Sequence, residues 1–236
     1  GQFCTNPGII ISFESDYFDL FINKLVQEIQ EISPSCMLHP NIYDAYNLGL
    51  QKIKKNKNVS ELTSYSNEYD NNFPRHVISR VSAEKFIEDK SLQHEIFGPC
   101  SLIITCQDEE EILKVIESLD GQLTGTILAQ DHDTFLSQQI IDTFELKVGR
   151  IIFNGVPTGV EVCSSMTHGG PYPASTDSRF TAVGINSIKR WLRPVSYQDF
   201  PQSLLPDELK NDNPLNINRI VDGVVTREGD SHFENT

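Results

Sequence analysis

The chain has 236 residues, 38% of them hydrophobic and 22% charged, with a net charge of −14. That is enough polypeptide for one large domain or two small ones around a sizeable core, and the acidic balance excludes a nucleic-acid footprint, which needs a basic face. The longest apolar runs, Ile9 to Ile11 and Ser101 to Ile104, are far too short to span a bilayer, no secretory leader pattern opens the chain, and five cysteines without regular spacing point to reduced thiols in a cytoplasmic compartment.

Ile9 to Phe13 is a short β-branched run and reads as a strand. Asp16 then precedes Phe18, Phe21, Ile22, Leu25, Ile29 and Ile32, a helical spacing with an acidic start that Ser33-Pro34 ends. A second helix is expected from Ile42 to Lys55, closing in a solvated charge run over Lys52 to Lys57. Asn56 to Arg75 is polar and reads as a loop. His76 to Val81 reads as a strand and Ala83 to Ile87 as a short helix. Ser101 to Cys106 is a continuous apolar strand, followed by an acidic, capped helix from Asp108 to Leu119. Thr124 to Ala129, Asp131 to Leu146 and Gly149 to Phe153 repeat strand, helix, strand. Alternation at this length predicts βαβ units and an α/β fold with a parallel, doubly covered sheet. Beyond it, Thr181 to Trp191 reads as helical and Leu192 to Tyr197 as extended. Ile220 to Thr226 carries one weak strand signal, and the last ten residues are expected to be poorly ordered.

The chemistry concentrates before the first strand, in Gly1-Gln2-Phe3-Cys4-Thr5-Asn6-Pro7-Gly8. Pro7 fixes its own φ and pushes Asn6 out of the α region, so Cys4 sits just ahead of a forced break. Such a thiol is either a nucleophile held at a loop mouth or a small buried hydrophobe near a chain end, and the residues alone leave both open.

This octapeptide resembles the nucleophile motif of the aldehyde dehydrogenase superfamily. His94-Glu95-Ile96-Phe97-Gly98-Pro99 resembles its Glu-x-Phe-Gly-Pro motif. Gly149 to Gly155, with Gly169-Gly170-Pro171-Tyr172-Pro173-Ala174-Ser175, resembles its C-terminal strand and glycine turn. His168 to Phe180 is most similar to the branch holding 2-oxoglutarate semialdehyde (2,5-dioxovalerate) dehydrogenases and related NADP-type enzymes. The three motifs stand in the family's order, and the likeness runs from Gly1 to about Pro214.

The resemblance implies a Rossmann-like catalytic domain over 1–191, an oligomerisation strand and following segment over 192–214, and a partly disordered tail over 215–236. It implies Cys4 as nucleophile in the oxidation of an aldehyde to a carboxylate through a thiohemiacetal and a thioester. Glu95 would accept from the nicotinamide ribose hydroxyls of NADP or NAD, and Phe97 would pack beside the nicotinamide; otherwise this is a strand-leading turn. Phe3, Pro157 and Val160 would face the aldehyde, with a plain turn as the alternative for the last two. The family's dinucleotide-binding domain, general-base Glu and oxyanion Asn precede the cysteine motif. The expectation is therefore a chain that lacks them and is inactive alone as a dehydrogenase. A homo-oligomer is implied in the complete enzyme, through the segment Leu192 to Tyr197, which is otherwise an ordinary edge strand.

Two other classes stay open. The chain is a non-catalytic oligomerisation or interaction fragment, or a thiol esterase that needs Cys4 and no cofactor; spacing selects none of the six histidines as its base. No metal site is expected. His94-Glu95 lacks the second His that a zinc-protease motif needs, since position 98 is Gly98, and Cys36 with His39 and Cys163 with His168 supply two ligands each where structural zinc takes four.

Overall fold

The computed structural model describes residues 2–65 and 72–229. Part of the loop read over Asn56 to Arg75, residues 66–71, lies outside the described residues, as do residues 230–236 of the expected disordered tail. The chain divides into two compact units, Gly1–Arg190 and Trp191–Thr236.

The first unit is α/β. Strands β1 (Ile9–Phe13), β3 (Val77–Ser82) and β4 (Cys100–Cys106) run parallel, and a two-residue β2 (Ser60–Glu61) pairs antiparallel with β3, in the order β1-β4-β3-β2. The central strand β4 is apolar on both faces because both are covered. Leu102, Ile104 and Cys106 face a core built with Val81, Phe86, Ile112, Val115, Ile116 and Phe144. Ile103 points the other way, with Ile78, onto Ile22. The covering elements are α3 (Ala83–Glu88), α4 (Glu109–Ser118) and α5 (Thr134–Phe144) on the first face, and α1 (Asp16–Glu31) on the second.

Sequence cues explain the helix starts. Ser15 caps α1 by accepting from Phe18 N, and Asp108 caps α4 by accepting from Glu111 N. Helix α2 (Pro40–Lys54) begins two residues ahead of expectation, because Pro40 suits the first helical position and the His39 side chain caps it.

The single sheet expected from the sequence is in fact two. Strands β5 (Gly125–Ile127) and β6 (Ile151–Phe153) form a separate parallel pair, joined through α5. Both are shorter than expected. The expected helix over Thr181 to Trp191 is only a 3-10 turn from Ile185 to Trp191. Gly184 takes φ +89, and the Thr181 hydroxyl accepts from His168 N and donates to Val183 O, so residues 181–184 serve His168 instead of a helix.

In the second unit, Leu192 to Tyr197 runs without a ladder partner among the described residues. The one strand read over Ile220 to Thr226 is a hairpin, β7 (Arg219–Val221) and β8 (Val224–Thr226), turned by Asp222-Gly223, both at positive φ. Arg219 donates to Lys210 O and Asn211 O, and Asn213 bonds Ile217 and Arg227, so polar contacts fasten this small unit.

Helix α2 frames the site. Tyr46 is buried, and its hydroxyl donates to Arg75 O at 2.6 Å and Pro99 O at 3.2 Å. Burial pushes this phenol well above its ordinary pKa, so it stays a donor. Tyr46→Phe is expected to cost about 1–2 kcal/mol in denaturant unfolding, since Pro99 and Arg75 lose a buried partner.

Candidate active site

Cys4 lies in a tight turn closed by Asn6 N donating to Phe3 O at 3.0 Å. Its thiol is exposed, while the next residue, Thr5, is 4% exposed and anchors the turn. The Gln2 side chain accepts from Leu38 N at 2.9 Å, fixing the turn to the segment before α2. Of the two readings of Cys4, the buried small hydrophobe is thereby excluded.

Glu95, Phe97 and Gly98 precede β4 as Cys4 precedes β1, and β1 and β4 are parallel neighbours. Both loops therefore leave the amino ends of adjacent strands. Ser101 Oγ donates to Pro7 O at 2.6 Å and Leu102 N to Gly8 O at 2.8 Å, binding the second loop to the exit of the first. A Cβ on Gly98 would stand 2.3 Å from the Tyr46 ring, so only glycine fits there. Glu95 is exposed with no hydrogen bond or ion pair among the described residues, and Phe97 is 38% exposed. A free carboxylate beside a half-open ring fits a ribose diol and a flat heterocycle. No hydrogen bond joins Cys4 to Glu95 or Phe97 among the described residues.

The third motif arrives from the other sheet. A Cβ on Gly149 would stand 1.9 Å from Gly169 O, and one on Gly121 would stand 2.1 Å from Pro171 O. The segment 169–171 thus crosses two strand-leading glycines at backbone contact. The crossing delivers His168, whose Nε2 lies 3.5 Å from Cys4 Sγ. Sequence reasoning selected none of the six histidines. The only signal for this one was its place directly ahead of the Gly-Gly-Pro turn.

His168 is half-buried and its Nδ1 is buried with no partner. Burial first, and the Arg150 guanidinium second, hold its pKa below the ordinary value. Among the described residues no carboxylate orients it, and the lowered pKa leaves the neutral ring as the resting form. Neutral His168 can accept a proton from Cys4 or from a water. Because the folded-state pKa is depressed, the stabilisation linked to His168 is complete above about pH 6.5 and fades as pH falls, when the unfolded chain takes up a proton first. Unfolding midpoints measured on acidification should fall further for the natural chain than for His168→Gln.

The loop after β6 holds the expected aldehyde contacts. Asn154, at φ +48, both accepts from Ala129 N and donates to Ala129 O. Pro157 is half-buried, Val160 is 37% exposed and Phe3 is 52% exposed. Arg150 NH2 donates to Pro157 O at 2.7 Å and NH1 to Gly159 O at 3.2 Å.

Burial pushes the Cys100 thiol up to about 11 and, with Glu111 and Asp108 adding to it, the Cys106 thiol to about 12, so neither supplies a thiolate near neutral pH. A cleft of about 300 Å³ is lined by Gln130, Asp131, Thr134, Gln138 and Phe153 and shares no residue with the Cys4 turn. A smaller one of about 80 Å³ lies among Gln2, Met37, His76 and Pro99, room for a few waters. Among the described residues no three His, Cys, Asp or Glu gather as a metal site, and no helix is long and apolar enough to cross a membrane.

A family model described as the aldehyde dehydrogenase family matches residues 1–191. Alpha-ketoglutaric semialdehyde dehydrogenase 2 of Azospirillum brasilense is 40% identical over 223 residues, covering 94% of this chain and 42% of that protein. Alpha-ketoglutaric semialdehyde dehydrogenase of Acinetobacter baylyi is 41% identical over 228 residues, covering 96% and 43%. The chain spans less than half the length of these curated relatives. The Delta-pyrroline-5-carboxylate dehydrogenase of Mycobacterium tuberculosis superposes with a TM-score of 0.61 at 17% identity, over 84% of this chain and 39% of that one. The NADP-complexed glyceraldehyde-3-phosphate dehydrogenase GapN of Methanocaldococcus jannaschii gives 0.57 at 19%, over 72% and 36%. At such identities the two structures speak to the fold alone.

Proposed function

The chain belongs to the aldehyde dehydrogenase family, and from that membership we propose that the complete protein oxidises an aldehyde to a carboxylate with NADP or NAD. The favoured substrate is 2-oxoglutarate semialdehyde or a close analogue, the aldehyde in the names of both curated relatives. The observation that carries the reading is the exposed Cys4 thiol in its closed turn, 3.5 Å from a neutral imidazole.

Cys4 attacks the carbonyl carbon. The C–S bond forms, the carbonyl electron pair moves to oxygen, and the thiol proton passes to His168 Nε2. Backbone amides of the Cys4 turn support the oxyanion. Glu95 would hold the ribose hydroxyls and Phe97 the nicotinamide face, where the bound cofactor supplies the hydride acceptor. His168 gives that proton up to solvent; water then adds to the thioester on Cys4 while His168 takes a proton from it, and the C–S bond breaks to release the carboxylic acid as the proton returns to the Cys4 sulfur. Because the Cys4 face is open, the other walls of the pocket come from the rest of the complete protein, and the described chain is expected to be inactive alone as a dehydrogenase. NADPH or NADH formation with 2-oxoglutarate semialdehyde, compared with aldehydes lacking the carboxylate, tests this reading. Equal or absent turnover across the series would overturn the substrate assignment.

The Cys4–His168 contact also favours a second reading, a thiol esterase that needs no cofactor. Hydrolysis of an activated ester that persists in Cys4→Ala would exclude it. Leu192, Val195 and Tyr197 are exposed at 62%, 57% and 44% in a segment with unused backbone groups, which suits pairing with a second copy. If the chain acts only as an interaction fragment, Cys4→Ala leaves self-association intact and no substrate is turned over.

A further inference from the structure

Arg150 stands where two parts of the site meet. From the residue just ahead of β6 it donates to two carbonyls of one loop, Pro157 O and Gly159 O, and its Nε is buried without a partner among the described residues. No carboxylate pairs with it among the described residues. A half-buried guanidinium held only by carbonyls keeps its full charge in a region of low dielectric, which is costly unless the charge or the fork has a use. Its neighbour Gly149 is in backbone contact with Gly169, so residues 150 and 168 flank one crossing. The guanidinium acts on the His168 ring across it.

We propose that Arg150 is a positioning residue that straps the loop bearing Pro157 and Val160 to the Cys4–His168 pair, so that loop and dyad hold one arrangement. The planar fork suits this task, since one side chain reaches two carbonyls two residues apart, whereas a lysine offers only a point charge. The groups that act on His168 are Cys4 from the turn before β1, the Arg150 charge from the residue ahead of β6, and the Thr181 hydroxyl on its backbone. Arg150 is the charged one. The inference rests on the reading of Cys4 as nucleophile, but its test needs no turnover, so the two can fail separately.

The test uses Arg150→Lys and Arg150→Gln in the full chain, with amide hydrogen exchange over 156–161 and the His168 ring titration followed by NMR. Both variants should exchange about tenfold faster or more in that loop. The His168 midpoint should rise in Arg150→Gln, which removes the cation, and stay close to that of the natural chain in Arg150→Lys, which keeps it. Unchanged loop exchange in Arg150→Lys overturns the proposal. So does an unchanged His168 midpoint in Arg150→Gln with only a lower melting temperature, which would mark Arg150 as a structural residue. Should Arg150→Gln fail to fold, loop exchange in Arg150→Lys decides.

Discussion

Cys4→Ala is expected to lower aldehyde oxidation by the complete protein at least about a thousandfold in kcat, with melting unchanged. The size of the effect follows from the mechanism. Without sulfur no covalent adduct forms, and no other residue of the Cys4 turn offers a comparable nucleophile. The neighbouring cysteines cannot substitute, because burial keeps Cys100 and Cys106 protonated. The unchanged melting follows from position. The thiol is exposed and its one side-chain hydrogen-bond contact among the described residues is a 3.5 Å approach, so its loss should stay within about 0.5 kcal/mol. Steady-state rates and thermal melts of the same preparation check both halves. Cys4→Ser should be almost as inactive, since a serine hydroxyl beside an unoriented imidazole is a poor nucleophile.

Gly149→Ala should cost about 3 kcal/mol or more of stability. The added Cβ would lie 1.9 Å from Gly169 O and 3.0 Å from Gly170 Cα. Both are backbone atoms, so no rotamer change relieves the clash. The strand must part from the turn, breaking the bond from Gly149 N to Gln122 O at 3.1 Å. The same parting withdraws His168 from Cys4. Denaturant unfolding should show the loss of stability, and labelling of Cys4 by a small alkylating agent should change with it. By contrast, Gly8→Ala should be mild, because nothing lies within 4 Å of the added methyl.

The parts of the fold written locally were legible. Strands β1 and β4 announce themselves as unbroken apolar runs, and α1 and α4 as apolar stripes behind Ser15 and Asp108. The hairpin β7–β8 reads as one weak strand because its turn, Asp222-Gly223, sits inside a short apolar run. The split into two sheets was invisible, since it depends on which strands pair across long separations. The site divides the same way. Cys4, Glu95 and Phe97 stand in motifs of contiguous residues. His168 lies 164 residues from Cys4, and what joins them is a backbone crossing at Gly149 and Gly169 that no periodicity encodes. Arg150 stands within the expected strand Gly149 to Phe153, and nothing in that run encodes its bonds to Pro157 O and Gly159 O.

The most direct test is to trap the acyl-enzyme. The protein, purified as the cell makes it, is mixed with aldehyde and NADP or NAD, quenched in acid during turnover, and digested for peptide mass spectrometry. The account predicts an added acyl mass on the peptide carrying Cys4 and unmodified Cys36, Cys100, Cys106 and Cys163. Turnover that proceeds with Cys4 unmodified, or with the acyl group on another residue, would contradict it.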